Sequence, residues 1–230
     1  MQQYQREFIQ FCLDTEVLRF GEFTLKSGRV SPYFFNAGLF NTGAAMLKLS
    51  QFFAQSIKSS GLSFEVLFGP AYKGITLSCA TAMALSELSG NNVPYAYNRK
   101  EKKNHGEGGV TVGAPLNGNI AIIDDVITAG TAIRESFDII NALNANNPEQ
   151  DHACISSVFL ALDRQERGQQ GDKILPHSAI QQVEKEFGIP VIAIAKMEHL
   201  IEYLEEQSAH KPEYQQHLSA MRDYRENFGI

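Results

Sequence analysis

The sequence predicts an α/β protein: a mostly parallel sheet flanked by helices, with a small N-terminal hood. Three observations carry that prediction. From residue 44 to about 206, short apolar runs alternate with segments whose apolar residues recur at helical spacing, the rhythm of a parallel sheet with helices on both faces. Several crossings put small and charged residues directly after a strand, the edge where open α/β sheets bind ligands. Residues 1–40 lack the rhythm and read as a hood over the sheet, helped by the C-terminus, with 41–230 as one compact core.

Length and composition bound the function. The 230 residues suffice for one generous domain with an accessory piece. A hydrophobic content of 43% with 20% charged residues is that of a soluble globular protein. A net charge of -6 argues against a general nucleic-acid binder. Cys12, Cys79 and Cys154 are odd in number and lack metal-ligand spacing, so reduced, mostly buried thiols in a cytoplasmic protein are expected. No signal peptide, membrane span or repeat is expected.

The elements follow in order. Residues 4–13 form a short amphipathic helix burying Phe8, Ile9, Cys12 and Leu13. Phe20 to Leu25 alternates like a strand edge, Lys26-Ser27-Gly28-Arg29 breaks it, and Ser31-Pro32-Tyr33-Phe34-Phe35-Asn36 follows. Ala44 to Ser59 is a helix with Met46, Leu49, Phe53 and Ile57 on one stripe and Gly61 as its cap. Val66-Leu67-Phe68 is a buried strand ending in Gly69-Pro70-Ala71-Tyr72-Lys73-Gly74, and a helix runs from there to about Leu88. Val93 to Asn98 is the next strand. Arg99 to Gly109 is a basic loop of four cations and a histidine, with three glycines within its last four residues.

Ile120 to Ile123 is a strand buried on both faces, then Asp124 and Asp125, an apolar pair, and the turn Thr128-Ala129-Gly130-Thr131. A helix starts at once, marked by Ile133, Phe137, Ile140 and Leu143. After a polar loop at Asn144–Gln150, a strand runs from Ala153 to Leu162 and ends in Asp163-Arg164-Gln165-Glu166-Arg167-Gly168. Residues 178–187 are a helix. Ile189 to Ile194 is the last strand, its proline at a first or edge position. Met197, Leu200, Ile201 and Leu204 mark one more helix; Tyr214, Leu218, Met221 and Phe228 mark the last, a tail packed on the core with no chemistry expected of it.

The stretch from Ile120 to Ala132 has the clearest chemical use. Ala129 and Gly130 leave the backbone N–H groups of the turn uncovered, and the helix beginning there adds partial positive charge, so a phosphate fits. Asp124 and Asp125 would repel that phosphate. They suit a neighbouring polyol, accepting hydrogen bonds from two hydroxyls, with a hydrated Mg²⁺ close by. Together they describe a receptor for ribose 5-phosphate. Around it, Lys73 stands where it reaches a pyrophosphate, and Gly74 lets the backbone come close. The basic run suits a pliable loop that closes over a polyanion and excludes water. Phe34-Phe35 offers an aromatic wall for a planar heterocycle, with Lys26 and Arg164 as cations for its carboxylate. Core aromatics, a surface lysine and plain turns account for the same outlying residues without a ligand.

Ile122 to Thr131 resembles the phosphoribosyl-pyrophosphate (PRPP) motif of type I phosphoribosyltransferases, in the variant of the orotate phosphoribosyltransferases. Segments 26–36, 69–74, 99–106 and 161–168 are similar to that family too. The resemblance implies the type I phosphoribosyltransferase fold. It implies transfer of ribose 5-phosphate from PRPP to orotate, with Mg²⁺ bound mostly through substrate oxygens and indirectly by Asp124 and Asp125. It places Lys26, Phe34, Phe35, Thr128 and Arg164 on orotate. Tyr72, Lys73, Arg99, Lys100, Lys103 and His105 fall on the diphosphate, with Lys103 and His105 as catalytic as the acid pair. Val126, Ile127, Thr128, Ala129, Gly130, Thr131 and Ala132 complete the PRPP loop. It implies a homodimer whose basic loop completes the partner's site. Members of that family often carry a non-proline cis peptide in the loop at 69–74, and the resemblance leaves Arg167 unassigned. A phosphoribosyltransferase for a purine would not need Lys26 and Arg164. A regulator sensing PRPP would carry an added basic face, and the sole basic cluster here is the loop.

Overall fold

Ile120, Ala121, Ile122 and Ile123 are fully buried, and their strand lies in the middle of the main sheet. The structure is a computed structural model. It describes residues 1–25, 28–103, 109–146, 152–170 and 173–230, without the side chains of 102, 103 and 170.

The elements are α1 (Gln3–Asp14), β1 (Leu18–Thr24), β2 (Val30–Phe35), α2 (Gly43–Ser60), β3 (Val66–Gly69), α3 (Lys73–Ser89), β4 (Tyr95–Lys103), β5 (Gly109–Gly113), β6 (Asn119–Asp124), α4 (Thr131–Asn146), β7 (Cys154–Asp163), β8 (Arg167–Gln170), β9 (Lys173–Ser178), α5 (Ala179–Phe187), β10 (Val191–Lys196), α6 (Met197–Ser208) and α7 (Glu213–Phe228). Six strands form the main sheet in the order β10-β7-β6-β3-β4-β5. Only β5 runs antiparallel, against β4. The mostly parallel α/β architecture is therefore the one the alternation predicts.

The two-residue period of the central strands sorts the core. Ala121 and Ile123 of β6, with Phe159 and Ala161 of β7, face the layer containing α1, α2, α3, α6 and α7. Ile120 and Ile122, with Val158 and Leu160, face α4 and α5. Local signals set the helix ends. The Thr42 hydroxyl accepts from the Ala45 N–H at 3.2 Å, and Gly61 ends α2 at φ +68°. Ser178 and Gln181 cap α5 reciprocally, and Gly188 ends it in the left-handed conformation.

Three expectations change. The segment at 99–103 is not loop: β4 continues through Lys103 and pairs antiparallel with β5, with irregular pairing between Asn98 and Lys103. The tip of the expected loop, including His105, lies outside the described residues, as does Lys26. The hairpin β8–β9 escapes periodicity because its strands are short and mostly exposed or half-buried, held by pairing with each other. Within the opening segment, α1 packs on α2, α6, β10 and β1, and β2 contacts α7. Of the three cysteines only Cys12 is buried; Cys154, at the start of β7 before the strand enters the core, is exposed.

Candidate active site

The strand order creates one place where chain direction across the sheet reverses. From β3 the chain passes to β4 and β5 on one side, then returns to β6 on the other and continues to β7 and β10. The carboxyl ends of β3 and β6 therefore part around a crevice, the geometry in which open α/β sheets bind ligands. Both loops beyond these strands start helices whose N-termini point to that edge, α3 at Lys73 and α4 at Thr131.

The acid pair ends β6. Asp125 is 7% exposed and Asp124 half-buried. The Asp125 N–H donates to Asp124 Oδ1 at 2.9 Å, and the Asp125 carbonyl accepts from the Ala161 N–H at 2.9 Å. Val126 packs into one core and Ile127 into the other, which fixes the direction of the chain as it leaves the sheet. Thr128, Ala129 and Thr131 are exposed, Ala132 is half-buried, and Gly130 turns at φ +73°. Arg134 braces this turn: Nη1 donates to the Ala129 carbonyl at 2.7 Å, while Nη2 pairs with Glu186 at 2.7 Å.

Across the crevice Lys73 donates to Asp125 Oδ2 at 2.5 Å. The loop carrying it is tight: a Cβ on Gly69 would collide with the Gly74 carbonyl, and one on Gly74 with the Gly69 backbone. Gly74 is thus demanded by the approach of strand end to helix start, a reason additional to ligand approach. The Ala71–Tyr72 peptide is cis, Tyr72 is exposed, and buried Asn98 of β4 accepts from the Ala71 N–H at 2.7 Å. Arg99 is half-buried on β4, and exposed Lys100 pairs with Glu135 of α4 at 2.7 Å. Lys103 ends β4, its side chain outside the description.

Burial, and then the charge of Asp125, push the Asp124 carboxyl up to about 7. The folded carboxyl holds its proton more tightly than the unfolded one. The stability tied to it is therefore complete below the unfolded pKa of about 4 and is lost as pH rises through about 7. Thermal midpoints of the free protein are expected to fall across that window relative to those of Asp124→Asn. Parallel curves for the two proteins would contradict this.

Beside the crevice lies a cavity of about 670 Å³, bordered by Phe34 and Phe35 of β2, Ile127 and Thr128 after β6, and Arg29 and Arg164. Val126 also borders it. The two phenylalanines do not form one flat wall. Neighbours on a strand point to opposite faces; Phe35 packs toward Phe40 while Phe34 stacks on Phe23 at 5.5 Å. Arg164 lies over the Tyr33 ring at 4.6 Å; its Nε donates to Glu166 Oε1 at 2.9 Å, and its Nη2 lies 2.7 Å from the same oxygen while donating to the Ser31 hydroxyl at 3.4 Å. Burial would lower its pKa, but Tyr33 and Glu166 outweigh that and keep it charged. Two structurally engaged residues carry no motif signal in the sequence, Asn98 and Arg134; Glu166 lies within the family-like segment 161–168, but the resemblance gives it no role. Only the arginine offers a hint, a cation one turn into the helix that follows the phosphate-type turn.

The comparisons with known proteins agree with this geometry. Residues 38–188 match the model of the phosphoribosyl transferase domain. The chain is 57% identical to an orotate phosphoribosyltransferase of Pseudomonas fluorescens and 56% identical to one of Thioalkalivibrio sulfidiphilus, each over 100% of both chains. A crystal structure of orotate phosphoribosyltransferase from Francisella tularensis superposes with a TM-score of 0.83 at 42% identity, covering 97% of this chain and 100% of that one. Fold, crevice and full-length identity converge, and the chain belongs to the orotate phosphoribosyltransferase family.

Proposed function

We propose that this chain transfers ribose 5-phosphate from PRPP to orotate, giving orotidine 5′-monophosphate and pyrophosphate in pyrimidine biosynthesis. The observation that carries the reading is the crevice between β3 and β6, with the acid pair and phosphate-type turn on one wall and the 670 Å³ cavity adjoining it. Addition of PRPP and Mg²⁺ to enzyme and orotate should remove orotate's ultraviolet absorbance and form pyrophosphate. Failure of both would overturn the assignment.

The reaction needs alignment and charge stabilisation more than covalent help. The bond from ribose C1 to pyrophosphate loosens, positive charge builds on the ribose, and the orotate ring nitrogen attacks. The 5-phosphate takes the turn from Thr128 to Thr131 and the α4 N-terminus; Val126, Ile127 and Ala132 hold that turn in the sheet and helix. Asp124 and Asp125 accept from the ribose hydroxyls and lie near the developing cation. The Lys73–Asp125 pair then exchanges partners, Lys73 turning to the diphosphate and Asp125 to a hydroxyl. Tyr72, Arg99, Lys100, Lys103 and His105 take the rest of the leaving group. Lys26 and Arg164 meet the orotate carboxylate, and the β1–β2 hairpin serves as the hood over the ring.

The donors present fit Mg²⁺ held through substrate. Asp124 and Asp125 offer hard oxygens at the crevice, and no group of three or more His, Cys, Asp or Glu forms a cage among the described residues. Bound there, Mg²⁺ would neutralise charge on the diphosphate. A cytoplasmic location, expected from the unpaired cysteines, belongs to the same reading.

The same reading includes a homodimer with shared sites. The adjacent helices α2 and α3 expose Leu47 at 55%, Met83 at 68% and Leu88 at 44%, apolar side chains that a partner subunit would cover. Arg99, Lys103 and His105 would complete the partner's pocket. Refolding Arg164→Ala together with Lys103→Ala should then give mixed dimers with one intact site each. Half of the dimers are mixed, so activity should return to about one quarter of the parent's. Absence of recovery in verified mixed dimers would show that each arm serves its own pocket.

A further inference from the structure

We infer that Glu166 is a positioning residue for the base pocket: it holds the Arg164 guanidinium in the orientation that meets the substrate carboxylate. The inference rests on the assignment of Arg164 to orotate. Glu166 Oε1 accepts from Arg164 Nε and from the Tyr33 hydroxyl at 3.2 Å, and it forms an ion pair with Arg164 Nη2 at 2.7 Å, the same nitrogen that donates to the Ser31 hydroxyl. Its Oε2 lies 3.6 Å from Arg29 Nη1. The three charged side chains are largely withdrawn from water, at 17% exposure for Arg164, 12% for Glu166 and 6% for Arg29. Glu166 therefore grips one edge of the Arg164 fork. Nη1, for which the described residues offer no partner, remains for a ligand in the cavity that Arg164 borders. An arginine loses much rotamer freedom when it binds, and one already fixed loses less at that moment.

The carboxylate is itself held in place by the backbone around it and by the C-terminal end of the chain. Gln165 adopts the left-handed conformation at φ +45°; its N–H donates to Asp163 Oδ1 at 2.7 Å, and its side chain accepts from the Glu198 N–H at 2.9 Å. Glu166 forms a bridge with Gly229, and the Ile230 N–H donates to the Gln165 carbonyl at 3.1 Å. Arg29, on the far side of Glu166, lies over the Phe228 ring at 4.5 Å. The C-terminal helix, which offers no chemistry of its own, thus supports the back of the base pocket. Such a supporting shell keeps a binding group in one geometry.

A competing effect has the opposite sign. Removing the glutamate charge leaves the arginines less neutralised, which would tighten any carboxylate. Glu166→Gln separates the two. Loss of positioning should raise the KM for orotate about tenfold or more, while the KM for PRPP and kcat at saturating orotate stay within about threefold. The inhibition constant of uracil, which lacks the carboxylate, should not move. An unchanged or lower KM for orotate, or equal weakening of orotate and uracil, overturns the inference. Should Glu166→Gln fail to fold, Tyr33→Phe keeps the ring and the charges and removes one bond to Oε1. It should raise the KM for orotate a few-fold with uracil unaffected, and no change overturns the inference. Arg164→Ala serves as the control. If that variant uses orotate normally, the pocket assignment fails. If it is impaired while Glu166→Gln is not, only the positioning role fails.

Discussion

Asp124→Asn combined with Asp125→Asn is expected to lower turnover by several orders of magnitude, on the order of 10³-fold or more. The pair keeps its shape in this variant and loses its charge, so hydroxyl binding weakens and the cation developing on the ribose loses its nearest anions. Folding is not the route to the loss. Asp124 is charged only against the combined opposition of burial and Asp125, so the neutral amide relieves a conflict. Lys73 loses its 2.5 Å partner but is more than half exposed and remains solvated. The double variant should therefore melt no lower than the parent at pH 8 while being nearly inactive. A fall in turnover of only a few-fold, with the fold intact, would reduce the pair to a structural turn and remove the basis of the proposed mechanism.

Arg164→Ala is expected to cost roughly 2–4 kcal/mol of transition-state stabilisation with orotate, the scale for losing a charged hydrogen-bonded partner. The site left behind is not an orphaned charge. Glu166 keeps Arg29 at 3.6 Å and the Tyr33 hydroxyl at 3.2 Å, so the variant should fold. The PRPP loop lies on a different strand end and is braced separately by Arg134, so PRPP binding should survive. Lysine should not restore activity, because the arginine binds Glu166 through Nε and Nη2 and still presents Nη1, a division one ammonium cannot reproduce. Near-normal kcat/KM for Arg164→Ala would sink the base-pocket assignment.

Much of this protein is legible one segment at a time. The helix at 43–60, its glycine cap, the buried strand before Asp124 and the turn before α4 are short-range features. Spacing, propensity and backbone freedom within a few residues decide them. For the same reason the crevice loops could be named in advance as sequences: each is a strand end, a small-residue turn and a helix start. The basic run was less legible, because cations on a strand and cations in a loop look alike without the pairing partner. That partner, β5, begins with Gly109 and has half-buried residues with no apolar period strong enough to announce it.

Tertiary structure alone decided which of these pieces meet. The sequence by itself determined that Lys73 and the acid pair each follow a strand. It did not determine that β3 and β6 are neighbours, since strand order is a property of long-range pairing and leaves no period in the chain. That adjacency places the Lys73 ammonium on Asp125 and opens the crevice between the two loops. The same holds for Glu166. In the sequence it is one acid in an exposed-looking turn; in the fold it lies between Arg164, 2 residues away, and Tyr33, 133 residues away, with Phe228 behind Arg29. Contacts of that separation form only once the hairpin, the β7 edge and the C-terminal helix have buried their apolar faces together, and burial selects partners by shape rather than by position in the chain.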